Sequence, residues 1–332
     1  MSATNQCIIE EFLIHSDRRK EGEKPFDLTP FIAAVDYYED IFSPCVTLKV
    51  LVINEAQVVT EDEEDTESTD DKLKALYNAL PIRGGEICRI KIGANVETNI
   101  PLDFSEKAQD YMYVTGITGV TRDAKREMFT LNLTSREAIV NETVRCYKKY
   151  SPDQNIGASV ENILTDTLGI DKDRFSVEMA ANSYGFIGNL KKPFPTIVWL
   201  AKKSVSASTG GGSAGFLFFQ TKTGYKFKSV DSLMRQETYK LTSNSGEKLK
   251  APPFYYGEAT QGFDENDRPV NTDFKILSFS ILQNNDIVKN LKLGTYSSTG
   301  MYFNPYNFEF ETLHYKRKDE IKKDNMSLMG SE

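Results

Sequence analysis

Few side chains in this 332-residue sequence stand where covalent chemistry would need them. There are two histidines, His15 and His314. Neither has a Ser, Cys or Asp beside it in a nucleophile-site pattern, and any triad or Cys–His partner would have to come from far along the chain. A surface or packed histidine is the simpler reading of both. The cysteines Cys7, Cys45, Cys88 and Cys146 are widely spaced and form no CxxC pair. That spacing is neither a zinc site nor the disulfide framework of a small secreted domain, so reduced, half-buried thiols are expected. The adjacent carboxylates Asp264 and Glu265 could suggest glycoside hydrolysis, but with 48 acidic residues such pairs arise by chance.

Three other features could bind a ligand. The Gly-rich stretch Gly210 to Gly215 invites a phosphate-cradle reading, but a P-loop continues into Gly-Lys-Ser/Thr and a helix. Here an aromatic strand pattern follows, which favours a flexible connector. The acidic block 61–71, "EDEEDTESTDD", lacks the Gly that a calcium loop places at its sharp turn, so it reads as a solvated loop. Lys222, Lys226 and Lys228 interleave with aromatics, as in single-strand nucleic-acid clamps. The alternation of Tyr225 and Phe227 with Lys226 and Lys228 is equally that of a half-buried strand.

The charge balance weighs against nucleic-acid readout. Net charge is −8 and the isoelectric point about 5.1, whereas tight binders of nucleic acid carry a basic face. Mean hydropathy is −0.43, no apolar run reaches membrane-spanning length, and the first residues lack a basic-then-apolar leader pattern. Synthesis and folding in a cytoplasm are therefore expected. Sixteen Tyr and 20 Phe against one Trp favour pleated sheet.

The elements that must position these residues follow from periodicity. Val46, Leu48, Val50 and Val52 alternate with Thr47, Lys49 and Leu51, and Cys88, Ile90 and Ile92 with Arg89 and Lys91, giving two strands. Asp36 to Asp40 reads as a loop or turn, Gly84-Gly85 as a turn, and "KLKALYNAL" as a short helix ending at Pro81. "DYMYVTGITGV" and "REMFTLNLTS" form a hairpin about "TRDAK", with Phe129, Leu131 and Leu133 on one face. Thr134 and Glu137 have capping-box spacing for a brief helix. "NETVRCYKKY" fits a helix or a strand, and periodicity does not choose between them. Val160, Ile163, Leu164, Thr167 and Leu168 mark a helix that Gly169 would end. "RFSVEM" is strand-like. A second helix starts near Pro193, with Ile197, Leu200, Ala201 and Ser204 on one face.

A hairpin turning at Gly224 follows, with Phe216 to Phe219 as its buried strand. The central segment 188–234 is expected to form the core of the mixed domain, with Ile197, Leu200, Phe216, Phe218 and Phe227 as core contributors and not ligand contacts. "ETYKLTS", "PFYYGEA", "FKILSFSIL" (Leu277, Phe279 and Ile281 on one face), "LGTYSST" and "NFEFETLHYK" read as strands, and the charged tail after Lys316 as frayed. The order is β-rich, then mixed with two helices, then β-rich again.

"AVDYYEDIFSPCVTLKVLV", "TSREAIVNETVRCYKKY", "ASVENILTDTLGI" and "NLKKPFPTIVWLAKKSVS…GFLFFQTKTGYKFKSVDSLM" occur in an order that resembles the central baseplate hub proteins of contractile-tailed (T4-like) bacteriophages. The resemblance covers roughly residues 30 to 235 by pattern order and the C-terminal third more loosely. Its motifs are packing motifs, specific only in their order. The acidic insertion and the Gly/Ser loop look peripheral to the pattern.

The resemblance implies a β-rich α+β protein with two tail-tube-like β-barrel domains and a mixed helix-containing domain between or beside them. The expected units are 1–150, a first barrel with an acidic loop insertion at 54–80; 151–235, mixed; 236–316, a second β-rich barrel region; and 317–332, a charged tail. It implies a non-enzymatic homotrimer in the virion's tail baseplate, assembled in the host cytoplasm, without metal or cofactor. Implied partners are the central spike protein, the tail tube or tube-initiator protein, inner baseplate proteins and a tape measure protein, with DNA passing through the channel without specific binding. The runner-up is a spike-base protein of a contractile secretion-type machine; a cell-wall hydrolase is the reading from another class.

Overall fold

Alternation of apolar and polar side chains sets the first part of the chain. The structure, a computed structural model, describes residues 8–16, 25–54, 82–93, 101–107, 110–123, 126–207, 215–235, 240–242, 248–250, 276, 278, 280 and 286–322. Eight strands share one antiparallel sheet: β1 (Ile8–His15), β2 (Phe26–Asp27), β3 (Ile32–Tyr38), β4 (Thr47–Asn54), β5 (Ile87–Gly93), β6 (Leu102–Asp103), β7 (Met112–Arg122) and β8 (Glu127–Ser135). Their order is β2-β1-β5-β7-β8-β4-β3, with β6 also pairing β5.

One face is the core. Phe12, Leu48, Val50, Val52, Cys88, Ile90, Phe129 and Leu131 have no exposed surface, while Thr47 and Lys49 face solvent. A single register on every strand follows from that pattern, because a one-residue slip would turn the apolar set outward. The sheet is rolled. Register shifts in β1, β3 and twice in β7 add the local twist that bulges produce. The rolled edges β2 and β3 are joined by the 3-10 turn Thr29–Phe31. That turn is pinned to β1 by Leu28 N–H donating to Phe12 O and Phe12 N–H to Thr29 Oγ1, each at 2.9 Å. Among the described residues no ladder joins β2 to β3, so the sheet curls without closing.

A second core lies in the residues that follow. Helix α1 (Arg136–Thr143) leaves β8 directly. The chain then runs extended through Cys146, which bridges Lys191, to β9 (Lys149–Tyr150), which pairs β11 (Phe186–Ile187). Thus "NETVRCYKKY" is helix first and ribbon after Thr143. Helix α2 (Ile156–Asn162) continues into a π turn at Ile163–Thr167 and ends at Gly169, whose φ is +66°. Asn155 begins it, its Oδ1 accepting from Gly157 N–H at 2.8 Å. Helix α3 (Pro193–Ala201) follows Lys192. β10 (Phe175–Val177) lies parallel to β13 (Gly224–Ser229), which forms a hairpin with β12 (Phe216–Thr221) and leads into α4 (Val230–Arg235). The five core residues expected in this part, Ile197, Leu200, Phe216, Phe218 and Phe227, are all buried, as are Ala201 and Ser204.

C-terminal to these, β14 (Lys240–Thr242) pairs β15 (Lys248–Lys250). Helix α5 (Ile287–Lys292) is capped by Asp286, which accepts from Lys289 N–H at 2.9 Å. β16 (Ser297–Asn304) and β17 (Glu309–Lys316) form a hairpin, and α6 (Arg317–Lys322) follows.

Three expectations are corrected. Asp36 to Tyr38 are strand, because Val35 and Tyr37 pack on the core and carry β3 onward. The first residues after Lys316 are helical rather than frayed. The Thr134/Glu137 capping box does not form: Thr134 Oγ1 donates to Val46 O at 3.2 Å, and Glu137 turns inward. The expected helix at 72–80, the acidic block 61–71, "PFYYGEA" and the face of Leu277, Phe279 and Ile281 lie outside the described residues.

Candidate assembly surfaces and the joint that positions them

The residues weighed for chemistry do not converge. His15 sits at the end of β1; burial and the Arg89 guanidinium both lower its pKa, and Glu11 opposes them. His314 lies on β17, its Nδ1 3.1 Å from Thr299 Oγ1. Among the described residues neither is hydrogen-bonded to a Cys, Ser or carboxylate that would make it a base. Cys88 and Cys146 are buried thiols whose pKa burial raises, the opposite of an activated nucleophile. Among the described residues no group of His, Cys, Asp and Glu is arranged to hold a metal ion. Asp264, Glu265 and most of the Gly-rich stretch lie outside those residues. Lys226 and Lys228 lie along a cavity of about 730 Å³ floored by β10, β12 and β13, beside the carboxylates Glu178 and Asp231. That mixture of charge does not make a phosphate track.

The polar side chains that do converge form a buried joint between the two cores. Glu137, in the first turn of α1, is 0% exposed. Its Oε1 accepts from Arg174 Nη1 at 3.1 Å and its Oε2 from Tyr225 Oη at 3.2 Å. Arg174, 12% exposed, reaches back with Nη2 to Asp110 Oδ1 at 2.9 Å, just before β7. Gln220 completes the link: its Oε1 accepts from Val46 N–H at 3.0 Å and from Ser135 Oγ at 2.8 Å. A side chain of the second core thus caps the backbone where strand β4 of the first begins. Burial and the neighbouring Glu137 carboxylate hold the Tyr225 phenol protonated well above its ordinary range. The joint is closed sterically as well. Gly224 has φ +103°, and a Cβ there would stand 2.0 Å from Arg174 O.

Sequence reasoning did not find this joint. Glu137 was read as half of a local cap, and Arg174, Asp110 and Gln220 carry no motif. The available signal was a Gln and a Tyr interrupting an otherwise aromatic buried hairpin, since buried polar groups require partners.

Among the described residues two apolar surfaces stand exposed. On the ribbon of β9 and β11, Tyr147 is 72% exposed, and Ile187 sits opposite Lys149. The next turn carries Asn189 and Leu190 at φ +48° and +55°, with Leu190 68% exposed. On the C-terminal hairpin, Met301, Tyr302, Phe303, Tyr306, Phe308, Phe310 and Leu313 are all exposed. A hairpin of two strands is marginal alone in water, and a contiguous apolar surface of this kind marks an interaction site.

No family model and no curated relative matches the chain. Among solved structures it is similar to a 43 kDa tail protein of prophage MuSo2 from Shewanella oneidensis, at 12% identity and TM-score 0.42, covering 70% of this chain and 56% of that one. A tail protein from Neisseria meningitidis gives 6% identity and TM-score 0.40 over 79% of this chain and 62% of that one. An E. coli component of the type VI secretion system gives 10% identity and TM-score 0.31 over 67% of this chain and 46% of that one. The chain thus spans roughly half to three-fifths of the length of these proteins. Values this low describe a distant likeness and decide nothing about function.

Proposed function

We propose that this chain is a structural, non-enzymatic hub subunit of a phage contractile-tail baseplate. Three copies would form a ring that joins the six-fold tail tube to the three-fold central spike and lets DNA pass. The observation that carries the reading is the order of the packing motifs between residues 30 and 235, together with what those motifs build. They are a rolled antiparallel sheet and a mixed unit, fixed to each other by a buried Glu137–Arg174–Asp110 joint. A structural adaptor needs rigid parts with broad exposed faces, and this chain has both.

In that reading a second rolled sheet would come from residues 236–316, giving six similar units per trimer. A three-fold ring could then meet a six-fold tube on one side and a three-fold spike on the other. Three chains at −8 carry −24, and an acidic channel wall would repel DNA and let it slide. Substituting lumen-facing acids by Lys is expected to slow ejection; unchanged ejection would remove the charge argument.

The primary test is light scattering of the full chain, alone and with a candidate spike protein, followed by negative-stain imaging. A mass near three times 37.5 kDa and a ring with a central hole are expected. A monomer under both conditions would overturn the reading. Clearing of peptidoglycan by the purified chain would favour the hydrolase instead.

A further inference from the structure

We propose that the ring is closed by a heterologous contact. The C-terminal hairpin of one copy would lie on the β9–β11 ribbon and Leu190 turn of the next. The inference deepens the ring proposed above and rests on it only for the number of copies.

The first partner surface is apolar, and its rim carries two lysines, Lys149 and Lys191, outside any described ion pair, beside the paired Lys148–Asp166 and Lys192–Glu142. Lys149 stands directly across from Ile187 and forms no ion pair among the described residues. Lys191 follows Leu190, and its ammonium lies 5.6 Å from the centre of the Trp199 ring rather than against a carboxylate. The turn between them is held in an unfavourable conformation. Asn189 tolerates the left-handed region, but Leu190 there costs about 1–2 kcal/mol. Both residues persist there because the chain is clamped on both sides. Gly188 presses against Cys146, where a Cβ would come within 2.4 Å of its carbonyl oxygen, and Leu190 N–H donates to Cys146 O at 2.9 Å. The result is a leucine held out into solvent on a rigid knuckle. Strain maintained by over-determined surroundings is a mark of function.

The second surface is apolar with an acidic rim. In the register of the hairpin, Tyr302 faces Glu311, Gly300 faces Leu313, and Asn304 faces Glu309. One face of the hairpin therefore presents Tyr302 and Leu313 flanked by two carboxylates and no base. The opposite face, with Met301, Phe303 and Phe310, carries His314 and Lys316 instead, so charge selects the first face for the basic ribbon. Among the described residues β16 pairs only with β17, and none of its eight positions is charged, so its other edge lacks the usual protection against pairing.

The two surfaces are complementary in charge, both exposed, and both on the same polypeptide. A patch that meets a different patch on an identical neighbour generates a ring where the rotation closes. A second copy of this chain is therefore the occupant each surface fits.

The test uses the full chain. Leu190→Cys and Tyr302→Cys are made separately, mixed, and treated with a short bis-maleimide beside the parent chain. Cross-linked dimer above the parental background is expected only in the mixture. Cross-linking of Leu190→Cys alone would indicate a two-fold contact and overturn the inference. Cross-linking within one chain in the doubly substituted protein at high dilution would place the hairpin on its own ribbon and overturn it too. Lys149→Glu and Glu311→Lys should each raise the concentration needed for assembly by about tenfold or more, and their combination should restore it, since juxtaposed like charges oppose association. Leu190→Asp should do the same without unfolding, because Asp tolerates the left-handed region. If rings persist in all of these variants, the contact is elsewhere and the hub reading stands. If the parent chain forms no ring and the mixture no cross-link, both fall.

Discussion

Arg174→Ala tests whether the buried joint holds the two cores together. The substitution removes the donor to a carboxylate that has no exposure and frees Asp110. Breaking a buried pair from one side costs about 3–5 kcal/mol, and the low end applies here because Arg136 Nη1 remains 4.0 Å from Glu137 Oε1. Adding Glu137→Gln replaces the carboxylate by an amide that still accepts from Tyr225. The double variant should then lie only about 1–2 kcal/mol below the parent, the worth of the lost hydrogen bonds. The one tryptophan, Trp199, lies in α3 of the second core and touches Phe186 and Tyr184, so its fluorescence follows that core alone. Far-UV circular dichroism follows the whole chain. In urea, with m of about 3 kcal/mol/M, Arg174→Ala should move the Trp199 midpoint down by about 1 M or more. The two probes should separate where they coincide in the parent. A shift below about 0.3 M, with Glu137→Gln adding to the loss rather than reversing it, would refute the joint as the coupling element.

Gly224→Ala should cost more than about 2 kcal/mol in thermal melts, since the new methyl meets the Arg174 carbonyl and the backbone stays at positive φ. An unchanged melting temperature would show that the turn is free to move. Gln220→Leu strips the buried Val46 N–H and Ser135 Oγ of their shared acceptor and should cost about 1–3 kcal/mol by the same measurement. Alkaline stability is set by buried phenols. Tyr150 is pushed up to about 12 by burial, and Tyr225 is raised by burial and Glu137, against 10.0 for a free phenol. The folded state keeps protons that the unfolded state releases, so stability should be intact below about pH 10 and fall as pH rises towards 12 and beyond. Phenolate absorbance from Tyr225 should appear only with unfolding, and its ionisation in the native state near pH 10 would contradict its burial.

The first core was legible because its strands are half-buried. Val46 to Val52, Cys88 to Ile92 and Phe129 to Leu133 alternate so strictly that face and register follow from residue type. The helix at 160–168 and its end at Gly169 were equally legible, though not the π turn, which is a switch of the Leu168 N–H to the Ile163 carbonyl that residue types do not state. Residues 144–150 were not decidable, because the element that fixes them is a distant one, the turn at 188–191. The joint was hidden for the same reason. Glu137, Arg174, Asp110 and Gln220 come from four separated places and acquire meaning only once folding brings them together. The knuckle at Leu190 had no signal either, since "GNLKK" does not state which residues take positive φ.

The rolled sheet has a seam, and the seam lies along one continuous piece of chain. Strands elsewhere in the sheet are held by ladders of hydrogen bonds; between β2 and β3 the link is the three-residue turn Thr29–Phe31, anchored to β1 by two bonds. The seam therefore depends on the packed apolar core and on that turn, not on a ladder, to keep its two edges in place. Mechanically it is a split collar rather than a closed hoop. A collar of this kind yields first at its split, so local opening of the sheet should begin at Thr29–Phe31 and leave the ladders for last.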